Sequence, residues 1–188
     1  MADEGFEVPA PHEHAVEHAG AHGDEFSGRI AVMTAILATL GAIFGYQAGS
    51  TQNEAALMKN DAAIKKTEAA DIWNYFQAKS NKINLAEVAL MLPGADQDKY
   101  KADIEHYKKD KDDLKTKADA LEEEVTKLNE KSEEEMHHHH EWARATTAEQ
   151  IAISLAAITL LTRKKWLQWL AYGVATAGVA MAGIAWFH

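Results

Sequence analysis

YKADIEHYKKDKDDLKTKADALEEEVTKL, residues 100–128, sets apolar or small side chains at alternating steps of four and three. Tyr100, Ile104, Tyr107, Lys111, Leu114, Ala118, Leu121, Val125 and Leu128 trace one seam, with only Lys111 out of character. A helix gathers such a series onto a single face, so the stretch reads as a helix packed lengthwise on another helix. The partner lies upstream. Ala62, Ala69, Phe76, Ile83 and Leu90 recur every seven residues, helped by Ile72 and Ala86, and no glycine follows Gly49 until the turn. Leu92-Pro93-Gly94-Ala95-Asp96 supplies a helix stop and then an N-cap for the return arm.

Residues 51–144 are therefore expected to form a long antiparallel coiled-coil hairpin with its turn at 92–96, reaching roughly 65 Å if both arms stay helical. Its contact face would set Trp73, Phe76, Ile83 and Leu90 against Ile104, Tyr107, Leu114, Leu121, Val125 and Leu128. The seam continues to Ser132 and Glu135, where it turns polar, so a gap is expected there for partner helices, water or metal. The first arm is apolar over a broad face. Trp73, Tyr75, Phe76 and Ile83 cannot all meet one partner helix, which leaves surface for a second copy or another protein.

The flanks are different in kind. Residues 30–49, IAVMTAILATLGAIFGYQAG, carry no charge, and twenty residues at ~1.5 Å each span about 30 Å, enough for a bilayer core. A cleaved signal peptide fits poorly, because the region before Arg29 is acidic and no convincing cleavage site follows. The stretch 145–162 is weaker, being fully apolar only from Ile151 to Leu161 and interrupted there by Ser154 and Thr159. Its neighbour, 166–187, has 22 uncharged residues with Trp166, Trp169 and Tyr172 at one end and Trp186 and Phe187 at the other, an interfacial aromatic belt. Arg163, Lys164 and Lys165 leave room only for a tight basic turn between the two.

The expected fold is thus an all-α membrane protein: a flexible acidic tail at 1–28, spans at 29–50, 145–163 and 164–188, and the hairpin outside the bilayer. Short basic loops stay cytoplasmic. That rule puts the N-terminus inside and the hairpin outside, which in a bacterium means an inner-membrane protein with a periplasmic hairpin.

Charge narrows the partners. The tail to Arg29 carries seven acids and one base, and residues 51–141 carry 21 acids and 14 lysines. Nucleic acid needs a basic face, so it is not expected. The chain contains no cysteine, which removes disulfides and thiol chemistry. No nucleophile–base pair, phosphate loop or dinucleotide fingerprint is present, so no enzymatic activity and no resident cofactor are expected.

Four features remain as candidate sites. Gly41, Gly45 and Gly49 form a small-residue face, matched by Ala148, Ala152 and Ala156 in the second span and by Gly173, Ala177, Gly178 and Ala182 in the third. Such faces let helices approach closely within one chain or between copies. His137, His138, His139 and His140 stand in a row inside the chain. In an oligomer they could bind a divalent metal, or they could titrate on acidification; a solvated histidine run is the plainer alternative. A second histidine group, His12, His14, His18 and His22, falls in the tail. Glu149 is the sharpest candidate, because it lies about 21 Å from Arg163 along a helix, deep in a ~30 Å core. An acid there is costly and marks a proton or cation site unless the boundary falls near Ile151. Gln47 and Gln150 are its expected hydrogen-bond partners.

The stretches RIAVMTAILATLGAIFGYQAGSTQNEA, ADIWNYFQAKSNK and HHEWARATTAEQIAISLAAITLLTRKKW, at 29–55, 70–82 and 139–166, carry a family likeness. The chain resembles a bacterial membrane family catalogued as domain of unknown function 4337, over nearly everything after residue 28. The resemblance implies a small inner-membrane protein and brings no catalytic residues. The expected function is a non-enzymatic structural or accessory subunit, self-associating or docking on a larger membrane complex. The alternatives are a pH or metal sensor at the histidine run and ion or proton transport through Glu149.

Overall fold

The computed structural model describes residues 25–187. These form three α-helices: α1 (Glu25–Leu90), α2 (Gln97–Thr162) and α3 (Lys165–Phe187), with no strand among the described residues. The tail histidines lie outside the described residues, whereas 25–28, expected in the tail, already belong to α1. Arg29 bonds Glu25 one turn back, and Ser27 is buried, so packing holds this first turn.

By packing, the chain divides into two units, Glu54–Glu134 and the combination of Met1–Asn53 with Glu135–His188. α1 and α2 each contribute to both. On α2 the division falls before the histidine run, where the sequence reading drew it after.

In the unit 54–134, α1 and α2 pair as the expected antiparallel hairpin. Ala55, Ala62, Ala69, Ile83 and Ala86 are buried on α1, and Ala118 on α2. Every residue of the 100–128 seam is buried or half-buried, while most of its neighbours are exposed. Lys111, the odd member, lays its ammonium 4.8 Å from the centre of the Phe76 ring. A cation over an aromatic face is attracted by the ring quadrupole, so the seam tolerates it. Trp73 packs edge-on to Phe76 and donates its Nε1–H to Glu122 Oε1 at 2.7 Å.

Small alanines at the α1 seam bring the backbones close, and Ser132 exploits this. Its hydroxyl is buried and donates to the Ala55 carbonyl at 2.8 Å. The loosening expected at Ser132 is therefore absent: a short hydroxyl reaching a carbonyl closes the seam as well as an apolar contact would. At the turn, Gly94 takes φ 82°, a left-handed conformation that glycine adopts without strain. Asp96 caps α2 by accepting from the Lys99 N–H at 3.1 Å, and the Gln97 side chain donates to the Leu90 carbonyl.

Lys79 donates to Asp110 at 2.6 Å, and His106 Nε2 sits 3.4 Å from the same oxygen. The Lys79 hydrogen bond holds the Asp110 carboxyl below its ordinary value. A lowered native pKa stabilises the fold above the unfolded-state pKa, and that contribution disappears as pH falls through the native one. Melting of the full chain from pH 6 down to pH 3 should show an acid loss that Asp110→Asn flattens. High salt should weaken the effect, since the pair is partly exposed.

Candidate functional site: a buried acid in the apolar unit

All three helices contain windows long and apolar enough to cross a membrane. In the unit they share, buried positions recur at steps of three and four. On α2 they are Ala145, Glu149, Ala152, Ala156 and Thr159. Glu149 thus occupies a seam position that its neighbours fill with alanine and threonine. On α3 the series is Leu167, Ala171, Ala175, Gly178, Ala182 and Ala185. On α1, Ile30, Thr34, Leu37, Phe44 and Ala48 are buried.

Thr34 and Thr159 are fully buried but return their hydroxyls to the carbonyls of Ile30 and Leu155. Glu149 has no such exit. Its side chain is 0% exposed, and neither carboxyl oxygen has a hydrogen-bond partner. Gln47 and Gln150, the expected partners, do not reach it; Gln150 points to the exposed side.

The glycines explain how the acid fits. A Cβ on Gly178 would lie 2.9 Å from Glu149 Oε1 and 3.2 Å from the Ala148 Cβ. On the other flank, a Cβ on Gly41 would lie 3.6 Å from the Glu149 Cβ. Gly178 and Gly41 therefore flank the acid as low walls on α3 and α1. Gly45 faces Thr146, whereas a Cβ at Gly49 would meet nothing within 4 Å. The α2 stripe also shifts. Ala152 and Ala156 are buried as expected, but Ala148 is only half-buried, because the seam runs through Glu149 instead.

Burying a carboxyl without partners costs free energy that an apolar side chain of similar size does not incur. Glu149→Met should therefore stabilise the unit by about 1–3 kcal/mol, read as a higher melting temperature in detergent. An unchanged or lower melting temperature would show that the acid has a stabilising partner.

One layer escaped sequence reading. Phe44, Trp142 and Trp186, one from each helix, form a contiguous aromatic cluster with ring centres 5.8 and 6.3 Å apart. Helical spacing would have revealed Trp142 as a seam residue, three before Ala145, had the buried series of α2 been extended back one step toward the histidines. Of those histidines, His139 and His140 bring their ring centres to 5.4 Å. His139 Nδ1 lies 2.8 Å from the Ala48 carbonyl on α1, and His137 Nδ1 lies 3.6 Å from Glu141 Oε1. Among the described residues, no three His, Cys, Asp or Glu side chains come together as metal ligands.

The arrangement defines a class: an all-helical protein whose first two helices pack as a long hairpin and continue into an apolar three-helix unit that buries an acid. The chain belongs to the family described as Domain of unknown function (DUF4337), whose model matches residues 26–188. No curated protein and no solved structure matches the chain.

Proposed function

We propose that this chain is a non-enzymatic, membrane-spanning accessory subunit of the bacterial inner membrane, which assembles with further protein through its hairpin. The observation that carries this reading is a second apolar stripe on α1. Leu57, Ile64, Ala78 and Leu85 lie at multiples of seven residues, two positions beyond the buried series that includes Ala55, Ala62 and Ile83. Leu57 is 56% exposed, Ile64 50% and Leu85 70%. Tyr75 and Val88 are exposed on the same arm. A hairpin that had satisfied its burial within the chain would carry polar residues at these positions.

The turn between α2 and α3 supports the topology. Arg163 adopts φ 54°, a left-handed conformation costing about 1–2 kcal/mol in any residue but glycine. A cation is kept there at that cost, as expected if the Arg163-Lys164-Lys165 turn anchors the cytoplasmic side. The hairpin then faces the periplasm.

Native mass spectrometry of protein extracted gently from its own membrane tests the reading. A homo-oligomer or a stoichiometric companion supports it, and a bare monomer overturns it.

A second reading, sensing of metal or pH, has one observation in its favour. A carbonyl only accepts, so the His139 contact with Ala48 assigns the proton to Nδ1 and leaves Nε2 as a lone-pair donor on the neutral ring. Zinc titration by calorimetry, with His137–His140 replaced by glutamine as control, tests it. An unmodified chain that gives no heat of zinc binding and no change of assembly between pH 7.5 and pH 5.5 would end it.

A further inference from the structure

We propose that the groove between α2 and α3 is a binding site for one anionic phospholipid; this rests on the membrane-spanning reading. The groove has a volume of about 680 Å3. Its walls are apolar, among them Ile151, Leu170, Val174 and Met181, and the small Gly173 and Ala177 leave its floor deep. His140, Arg144 and Thr147 break this character, Arg144 being the one side chain among them with a permanent charge, and none of the described lining residues is acidic.

The charge and the walls match the two halves of one ligand. Among the described residues Arg144 has no acidic partner, and a guanidinium binds phosphate through two parallel hydrogen bonds. Gly178 lies beside Ala148 and Glu149, which sets the register of the two antiparallel helices. From that level, the rise per residue places Arg144 about 6 Å towards one end and Trp169 about 13 Å towards the other. A groove of about 20 Å holds a headgroup at Arg144 and an acyl chain crossing one leaflet, roughly 15 Å of a ~30 Å core. Arg144 precedes the fully apolar stretch by seven residues, about 10 Å, so its charge falls at headgroup depth. A zwitterionic lipid would bring a second cation beside Arg144, where no described lining residue is a carboxylate. On the proposed topology Arg144 meets the outer leaflet of the inner membrane, and its guanidinium selects an anionic headgroup there by the charge pairing that basic recesses use on the cytoplasmic side.

The test uses the full chain in vesicles of equal phosphatidylglycerol and phosphatidylcholine. Carbonate washing first establishes insertion, and native mass spectrometry then counts retained lipids. The intact chain should retain phosphatidylglycerol over phosphatidylcholine by roughly fivefold. Arg144→Gln should bring the ratio close to one. Gly173→Leu should remove the retained lipid altogether. A Cβ there meets nothing within 4 Å, so this variant fills the groove without disturbing the helices, which its melting temperature verifies. An inserted chain that retains both lipids equally, or an unchanged ratio in Arg144→Gln, overturns the lipid site alone. A chain stripped from the vesicles by carbonate overturns the spanning reading and the site with it.

Discussion

Gly178→Leu should lower the stability of the apolar unit by about 1–3 kcal/mol or more, and Glu149→Ala in the same chain should recover much of the loss. The first effect is steric. A Cβ at Gly178 would meet Glu149 Oε1 at 2.9 Å and the Ala148 Cβ at 3.2 Å. The carboxyl can rotate, but the Ala148 methyl is fixed to its helix, so α3 must move outward or the acid must leave its enclosure. Truncating Glu149 vacates that space, which makes the two substitutions non-additive. Gly173→Leu is the matched control, because open space surrounds its Cβ position and leucine is the better helix former. Thermal melts of the four proteins in one detergent give the coupling directly. Simple additivity would mean that Gly178 does not enclose the acid.

Leu57→Glu with Leu85→Glu should dissociate whatever assembly the hairpin makes. Burying an exposed leucine is worth about 1.5–3 kcal/mol when complete. Both side chains are more than half exposed in the single chain, so their joint loss is on the order of 2–4 kcal/mol, a hundredfold weakening or thereabouts. The seam positions stay untouched, so the hairpin itself should retain its helicity. Two-residue displacement from the seam is the useful control: Ile83→Glu, at a buried position, should unfold the hairpin instead. An assembly that keeps its mass after both outer leucines are replaced would remove the stripe from the interface.

The hairpin was legible because its information is local and periodic. A seven-residue repeat on each arm and a proline-glycine turn name two helices and their pairing. The outer stripe obeys the same period but is diluted by Asp71, which stands at 71 between Ile64 and Ala78. Periodicity also pointed to small-residue faces without saying which members meet. Gly41 and Gly45 pack, Gly49 does not, and Ala148 yields its place in the seam to Glu149. Those outcomes depend on the rotation of each helix about its axis, set by the sum of contacts along three helices. The aromatic layer of Phe44, Trp142 and Trp186 is likewise assembled from three distant segments. Glu149 stood out by depth alone, yet its lack of partners is a property of the packed unit.

On the proposed topology the apolar helices cross a membrane and separate the hairpin from the basic turn. A chain without cysteine makes this directly measurable. Single cysteines placed at the exposed positions Lys101, beside the hairpin turn, and Lys164, between α2 and α3, are exposed to a membrane-impermeant maleimide in intact spheroplasts. Lys101→Cys should be labelled at once, and Lys164→Cys only after the membrane is permeabilised. Equal labelling of both from the same side would contradict the account.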